Sequence, residues 1–136
     1  MIDVATNAFT GAMTITTNDA SGTDADVTID GGTTALNIGA STIDGDLTVT
    51  SDNASGIIDS GTVTVGGNLV ATTDANNGVI DLGTTTVTGT MELTADGSGN
   101  VTIDNANAVI AVSYTHLRTH ETVLELVCRL LLEKKK

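Results

Sequence analysis

The amino-acid sequence predicts an all-β protein, a right-handed parallel β-helix (β-solenoid) of about four to five coils with about 22 residues each. Residues 1–111 contain all 15 Gly residues, many Thr, Val, Ile, Asp and Asn, and no Pro, which is the composition of short strands joined by tight turns. A short apolar segment that follows a Gly recurs at a constant interval along this region. Within the segment, apolar and polar residues alternate with the period of two that a β-strand requires.

The first element of each repeat is a strand that follows a Gly. Gly45–Thr50, Gly67–Thr72 and Gly89–Thr94 start at a constant interval of about 22 residues, and Gly11–Thr16 carries the same pattern further upstream. Alternation assigns the side chains of this strand to two faces. The side chains expected inside are those of Leu47, Val49, Leu69, Ala71, Met91 and Leu93, and those expected outside are Thr48, Val70 and Glu92.

The second element of each repeat ends in Asp and the third ends in Gly. The second elements are Val27–Asp30, Gly56–Asp59, Gly78–Asp81 and Val101–Asp104, and the third elements are Thr42–Gly45, Thr64–Gly67 and Thr86–Gly89. One coil of three short strands cannot bury its own apolar side chains, so the coils are expected to stack and share one core. The end coils, each with one unpaired face, should be the least stable.

The first cycle is irregular, because the interval from Met13 to Leu47 exceeds the repeat by more than half a coil. The extra residues are expected to form a bulging loop around residues 18–25 and an added stretch near residues 35–39. A β-sandwich is the alternative architecture, since it also has many short strands and frequent turns. A sandwich gives no reason for a constant 22-residue period, so the solenoid is preferred.

The charge of the chain excludes several classes of partner. Residues 1–111 contain thirteen Asp and one Glu but no Lys or Arg, a formal charge of −14 within a chain of −12. So acidic a segment repels nucleic acid and anionic membranes, and neither is expected to bind. No apolar run reaches the length of a membrane span, so no membrane insertion is expected. The same segment lacks His and Cys, which excludes zinc, thiol and imidazole chemistry from it.

A column of carboxylates is the first candidate site. Asp59, Asp81 and Asp104 follow the second strand at spacings of 22 and 23, and Asp30 holds the same place in the first cycle. Stacked carboxylates could hold calcium, which prefers hard oxygen ligands. We favour the interpretation in which each Asp caps turn amides and stays solvated, so no metal or cofactor is predicted. The acidic pairs Asp24/Asp26 and Asp44/Asp46 do not match an EF-hand calcium loop either, because they lack the Gly and Glu of that motif.

Pairs of threonines separated by one residue are the second candidate, because they resemble the flat hydroxyl arrays of ice-binding solenoids. The pairs are Thr14/Thr16, Thr48/Thr50, Thr62/Thr64 and Thr84/Thr86. An ice-binding surface needs such pairs on one face in successive coils, yet the 22-residue period replaces Thr48 by Val70 and Glu92. The strand propensity of threonine is a sufficient explanation, so ice binding is the weaker hypothesis.

Enzymatic activity is the third possibility, because carbohydrate lyases and hydrolases also use β-helices. A lyase that abstracts a proton beside a uronate needs a basic residue, which residues 1–111 do not offer. A glycosidase needs two carboxyl groups across a cleft, and the many Asp could supply them. The segment has no Trp or Tyr on which a sugar could stack, so no catalytic residue is predicted and the chain is not expected to be an enzyme.

Three stretches of residues 1–111 resemble repeats of a known class of large bacterial exoproteins. They are Asn7-Ala-Phe-Thr-Gly-Ala-Met-Thr-Ile-Thr16, Gly39-Ala-Ser-Thr-Ile-Asp-Gly-Asp-Leu-Thr-Val-Thr50 and Asp59-Ser-Gly-Thr-Val-Thr-Val-Gly-Gly-Asn-Leu69. The class comprises the filamentous-haemagglutinin-like adhesins of two-partner secretion and related β-strand-repeat proteins. The resemblance implies that residues 1–111 are one β-helix repeat segment of a larger protein, a structural shaft without catalytic or binding residues to carry over.

The same resemblance implies partners and a location. It implies export through an outer-membrane secretion transporter and an extracellular or cell-surface location. The other partners that it implies are a host or cell-surface receptor of unknown identity and the neighbouring coils of the full-length chain.

Residues 112–136 differ in composition from the rest of the chain, since they hold every Lys and Arg, both His, the only Cys and the only Tyr, but no Gly. From about Thr119, apolar residues at helical spacing and a Lys-rich end predict a helix. The segment also resembles translated read-through of a transposase-based sequencing-library adapter. Val112–Arg118 and His120–Thr122 match the transposase end, Leu126–Lys136 matches the flow-cell end running into poly-A, and Thr119 and Glu125 depart from the pattern.

This second resemblance implies that residues 112–136 are a non-native tail, helical if ordered. His116, His120 and Cys128 are then not metal-ligand candidates, and the Lys run that ends the chain is not a membrane anchor. The sequence therefore predicts two regions, residues 1–111 and 112–136, of which only the first carries information about function.

Overall fold

The structure is a computed structural model that describes residues 1–5, 8–17, 25–107 and the backbone of 112–117. Within these residues it contains strands and no helix, and every strand pair is parallel, which confirms the all-β prediction. The strands are β1 Ile2–Val4, β2 Ala12–Met13, β3 Val27–Asp30, β4 Leu36–Ile38, β5 Ser41–Ile43, β6 Leu47–Ser51, β7 Ile57–Asp59, β8 Val63–Val65, β9 Leu69–Thr73, β10 Ile80–Val87, β11 Met91–Asp96, β12 Val101–Asn105 and β13 Val112–Leu117.

The strands form two sheets that run along the stacking axis. The first sheet has the order β1-β3-β6-β9-β11-β13, so that each coil contributes one strand. The second sheet has the order β2-β4-β7-β10-β8-β5, with β12 paired to β10. Each coil passes from the first sheet through two successive positions in the second and then returns. The chain is therefore a β-solenoid of about four turns, as predicted.

The register of the first sheet reproduces the sequence repeat. Leu47 pairs with Leu69 and Leu69 pairs with Met91, so equivalent positions of successive repeats lie in neighbouring coils. Compared with the 22-residue repeat, the interval between paired residues is two positions shorter from Val27 to Leu47 and one position shorter from Met91 to Val112. Parallel pairing of residues so far apart in the chain needs a crossover, which the two other strands of each coil provide.

The core is a continuous apolar column between the two sheets. The six side chains predicted to face inward from the first sheet are each no more than 2% exposed, whereas Thr48 and Val70 are half-buried and Glu92 is exposed. The alternation prediction is therefore confirmed. The inward residues of both sheets form one cluster, whose largest buried members include Leu36, Ile38, Ile43, Leu47, Ile57, Leu69, Ile80, Leu82, Met91 and Leu93.

The sequence assignment of the first cycle is wrong in two respects. Val27–Asp30 is a strand of the first sheet, because Val27 pairs with Leu47, and it is not a second element. Ala12–Met13 belongs to the second sheet, because Met13 pairs with Ile38. Both segments share their short apolar pattern with every other strand, so pattern alone could not tell one position of the coil from another.

The added stretch predicted near residues 35–39 is also wrong, since Leu36–Ile38 is the regular strand β4. The bulging loop predicted around residues 18–25 lies almost wholly outside the described residues. Once Val27 is placed in the first sheet, the coil that begins there is slightly shorter than the repeat, with no inserted segment.

The first residues of the predicted tail continue the stack. Val112–Leu117 forms β13, which pairs with β11 in a continuous parallel register from Met91 and Val112 onward. These residues are a strand and not a helix. The helix predicted from about Thr119 lies outside the described residues.

Candidate functional site

The predicted column of Asp59, Asp81 and Asp104 does not form. Asp81 pairs with Ile58 on one side and Thr102 on the other, so it is out of line with Asp59. The cause is a difference in turn length. The turn between β9 and β10 is one residue longer than the turn between β6 and β7. That longer turn contains Asn76 and Asn77, both with a positive φ.

Asp30 binds a turn amide, as the favoured interpretation predicts, whereas Asp59 binds backbone amides of strand β10 in the next coil. The Asp59 carboxylate accepts hydrogen bonds from the backbone N–H of Gly83 (2.9 Å) and Thr84 (2.8 Å) and from the Thr84 hydroxyl. The Asp30 carboxylate accepts one from Gly32 N–H two residues on, an Asx turn. Asp59 thus fastens its own coil to the next one, which the sequence interpretation did not foresee.

A different pair of carboxyl groups does meet, and spacing could have found it. Asp30, Asp52, Asp74 and Asp96 recur at the constant interval of the repeat, at the end of β3 and β11 and directly after β6 and β9. Asp52 and Asp74 come directly after the paired residues Ser51 and Thr73, in neighbouring coils. The pKa of Asp74 is raised above 3.8 by the hydrogen bond that protonated Asp74 donates to the Asp52 carboxylate, by some burial and by the negative charges of Asp52 and Asp30.

A ladder of side-chain hydrogen bonds links successive coils at the corner where each coil enters the first sheet. The side-chain Oδ1 atoms of Asp26, Asp46 and Asn68 accept hydrogen bonds from the backbone N–H of the equivalent residue one coil later. The bond lengths are 2.9 Å to Asp46, 2.7 Å to Asn68 and 2.9 Å to Thr90. These side chains are therefore structural links between coils.

Glycine makes this ladder possible. A Cβ at Gly67 would overlap the Asp46 Oδ1 atom, and a Cβ at Gly45 would overlap Asp26 Oδ1. The same holds at Gly89, where a Cβ would lie 2.6 Å from Asn68 Oδ1. The recurrent Gly before the first strand thus leaves room for the side-chain oxygen of the coil before it.

A column of threonines runs along the outer face of the second sheet. Thr42 pairs with Thr64 and Thr64 pairs with Thr86, and a single bridge joins Thr16 to Thr42. Thr42 has Ala40 in place of a second threonine, so the search for Thr-x-Thr pairs missed it. Among the described residues, the hydroxyls of Thr42, Thr64 and Thr86 have no hydrogen-bond partner. This column is longer than the sequence predicted, although Ala106 ends it.

A shallow groove of about 260 Å³ lies on the same face, at the kink in β10. The pairing of β10 with β12 is irregular between Leu82 and Thr85, and the open space beside Gly83 contributes to the groove. The lining residues are Thr62, Gly83, Thr84, Thr85, Thr86, Asp104 and Ala106. Asp104 is the one charged residue among these lining residues, and no aromatic ring lines the groove.

No metal centre or membrane span is found in the described part of the chain. No group of three or more His, Cys, Asp or Glu there is arranged to hold a metal ion. None of those residues belongs to a helix with the length and apolarity that crossing a membrane demands. His116 lies in β13, of which only the backbone is described, and His120 and Cys128 lie outside the described residues.

Comparison with protein families gives one match. The family described as "Repeats of unknown function (DUF5649)" matches residues 24–85 and again residues 55–115, which together span more than half of the chain. Comparison with curated proteins and with solved structures gives no match.

Proposed function

The chain belongs to the DUF5649 family of repeats of unknown function, and we propose that it is a structural shaft segment of a large secreted or surface-exposed bacterial exoprotein. The observation that carries this proposal is the uninterrupted stack of first-sheet strands from β1 to β13. Each coil contacts only its neighbours, so added repeats lengthen the rod without altering its cross-section. A rod that grows by repetition suits a spacer between a cell surface and a distal binding region.

The side-chain chemistry supports a structural role over a catalytic one. Asp26, Asp46, Asp59 and Asn68 use their polar atoms to bind the next coil. Residues 1–111 offer no Lys, Arg, His or Cys as a base, nucleophile or anion-binding group. We therefore propose that this segment has no enzymatic activity.

Export and partners rest on the resemblance to two-partner-secretion adhesins. We propose that the chain passes through an outer-membrane transporter and that a receptor binds a part of the exoprotein outside this shaft. The formal charge of −14 on residues 1–111 supports a surface role, because it keeps the rod apart from anionic lipid and nucleic acid.

An antibody raised against the purified chain tests the location. Intact cells of the source organism should bind it, and immunogold particles should lie beyond the outer membrane, since a shaft projects outward. Permeabilised cells serve as the control for total antigen. Labelling that requires permeabilisation would contradict the proposal.

The threonine column favours a second candidate function, an ice-binding surface. Thr16, Thr42, Thr64 and Thr86 stack in register, and neighbouring coils place their hydroxyls about 4.8 Å apart. Thermal hysteresis of the purified chain tests it, with Thr64→Tyr to disrupt the column and Thr72→Tyr on the other sheet as the matched control. Hysteresis that Thr64→Tyr abolishes and Thr72→Tyr preserves would favour ice binding over the shaft alone.

Calcium stabilisation is tested by melting the chain with and without added calcium. Because Asp59 is bound to amides and Asp81 is out of register with it, the two melting temperatures should agree. A rise of several degrees in calcium would favour a calcium-stabilised solenoid.

For the tail we propose that residues 112–136 derive from a sequencing adapter, although Val112–Leu117 pairs with β11 and the family match extends to residue 115. Alternating residues after Ala111 suffice to extend a parallel stack, whatever their origin. The nucleotide sequence of the source genome tests the proposal. Genomic sequence that encodes these residues directly after Ala111 would overturn it.

A further inference from the structure

We infer that Asn100 is an acceptor site for an asparagine-linked sugar and that Asn53 is not. The chain contains two Asn-x-Ser/Thr triplets, Asn53-Ala-Ser55 and Asn100-Val-Thr102. This triplet is the acceptor pattern of asparagine glycosylation, which also requires a position on the surface. The pattern is short and treats the two asparagines alike, so the local structure must distinguish them.

Both polar atoms of the Asn53 side-chain amide are hydrogen-bonded. Its Nδ2 donates a hydrogen bond to the Thr33 carbonyl of the preceding coil (2.8 Å), and its Oδ1 accepts one from Ser55 N–H (2.8 Å). Asn53 is half-buried, and its backbone carbonyl lies against Gly78 of the following coil. Glycosylation at Nδ2 would have to break the bond to Thr33 and place a sugar between stacked turns.

The amide of Asn100 is open to solvent. Asn100 follows a turn that Gly99 N–H closes on the Asp96 carbonyl (3.0 Å), and its side chain is exposed at the outer corner of the coil. Its backbone carbonyl accepts a hydrogen bond from Ile80 N–H (2.9 Å), which fixes the main chain. Its side-chain amide has no hydrogen-bond partner among the described residues.

The rest of the Asn100 triplet is equally accessible. Thr102 is exposed on β12, and β12 pairs only with β10 among the described strands. The exposed side chains of Asn100 and Thr102 are the two that a transferase must reach. In contrast, the Asn53 triplet lies between two turns of the stack, which contact it from both sides.

The reaction needs a sugar diphosphate donor and a transferase, neither of which the chain supplies. The bond from the sugar C1 to the diphosphate oxygen breaks, and the diphosphate leaves with its electron pair. The Asn100 Nδ2 atom bonds to C1 and loses one proton to a base of the transferase. This inference does not depend on the shaft proposal, because accessibility can be measured on the isolated chain.

The experiment treats the folded full-length chain with a soluble asparagine glycosyltransferase and a nucleotide diphosphate hexose. Intact-mass measurement counts the hexoses added, and fragmentation of the chain locates them. Synthetic peptides of residues 49–59 and 96–106 show whether the enzyme accepts each triplet without the fold. We expect both peptides to react and the folded chain to gain one hexose, at Asn100.

Variants assign the site. Asn100→Gln and Thr102→Val should each abolish hexose addition to the folded chain, whereas the matched control Asn53→Gln should leave it unchanged. Circular dichroism melting shows whether each variant is still folded. Hexose on Asn53 of the folded chain, or none on Asn100 of the folded chain, would overturn the inference.

Discussion

Single residues at the corners of the coil fix how each coil sits on the one before it. The Asp46 side chain occupies the space that Gly67 leaves by lacking a Cβ, and its Oδ1 bonds to the next backbone amide. Neither residue could act alone, since the oxygen needs the space and the glycine alone provides no bond. The same arrangement recurs with Asp26 and Gly45 one coil earlier.

Gly67→Ala should destabilise the fold by about 1 to 3 kcal/mol, because the added methyl group displaces Asp46 Oδ1 and leaves the Asn68 amide without its partner. Gly83→Ala is the matched control, since nothing lies within 4 Å of a Cβ there. Urea denaturation of both variants measures the difference. Equal stabilities of the two variants would show that the corner interlock contributes little.

Acid should strengthen the contact between Asp52 and Asp74. The Asp74 pKa is raised in the folded state, so its contribution is fully present below the unfolded value of 3.8 and is lost as pH rises through the folded pKa. Asp52→Asn replaces the neighbouring carboxyl by an amide that can donate to a charged Asp74. This variant should therefore gain most over the natural chain at neutral pH and least below pH 3.8.

Melting curves of the natural chain and Asp52→Asn between pH 3 and 7 measure this effect. Asp81→Asn removes one negative charge next to Ile58 and Thr102 and is the control for overall charge. The gain of Asp52→Asn should change with pH more than that of Asp81→Asn. Parallel curves for the two variants would contradict the carboxyl pair.

At the scale of the strand, alternation identified the buried face and failed to identify the position in the coil. Alternation correctly predicts that Leu47, Leu69 and Met91 are buried, because a strand's side chains alternate regardless of which sheet it joins. The same pattern assigns Val27 and Met13 to the wrong elements, because the register depends on turn length. The small difference in length between two turns also moved Asp81 out of the predicted column.

Leu69→Ala in β9 should destabilise the fold by about 2 to 5 kcal/mol, since Leu69 is 1% exposed and packs in the centre of the stack. Val70→Ala, at the adjacent outward position, should cost no more than about 1 kcal/mol. Urea denaturation again provides the comparison. Similar losses at the two positions would contradict the assignment of faces.

At the scale of the whole molecule, the coils form one core, but central coils and end coils differ in how many neighbouring coils they contact. β6 and β9 have a strand of the first sheet on both sides, whereas β1 pairs only with β3 among the described strands. Met1 and Ile2 are also the exposed large apolar residues of the described chain.

Native-state hydrogen exchange should follow the position of each strand in the stack. Amides of β6 and β9 are expected to exchange slowest and those of β1 much faster, since opening an end coil breaks one interface and opening a central coil breaks two. Exchange resolved by residue with NMR measures the gradient. Uniform protection from β1 to β9 would indicate that the stack opens as a single unit.

The most direct test of the solenoid is the pattern of nuclear Overhauser effects in the isotopically labelled chain, because parallel stacking brings together residues one repeat apart. Backbone contacts should link Leu47 with Leu69 and Leu69 with Met91, in parallel register. Antiparallel contacts between consecutive strands, as in a β-sandwich, would contradict the stacking of parallel coils.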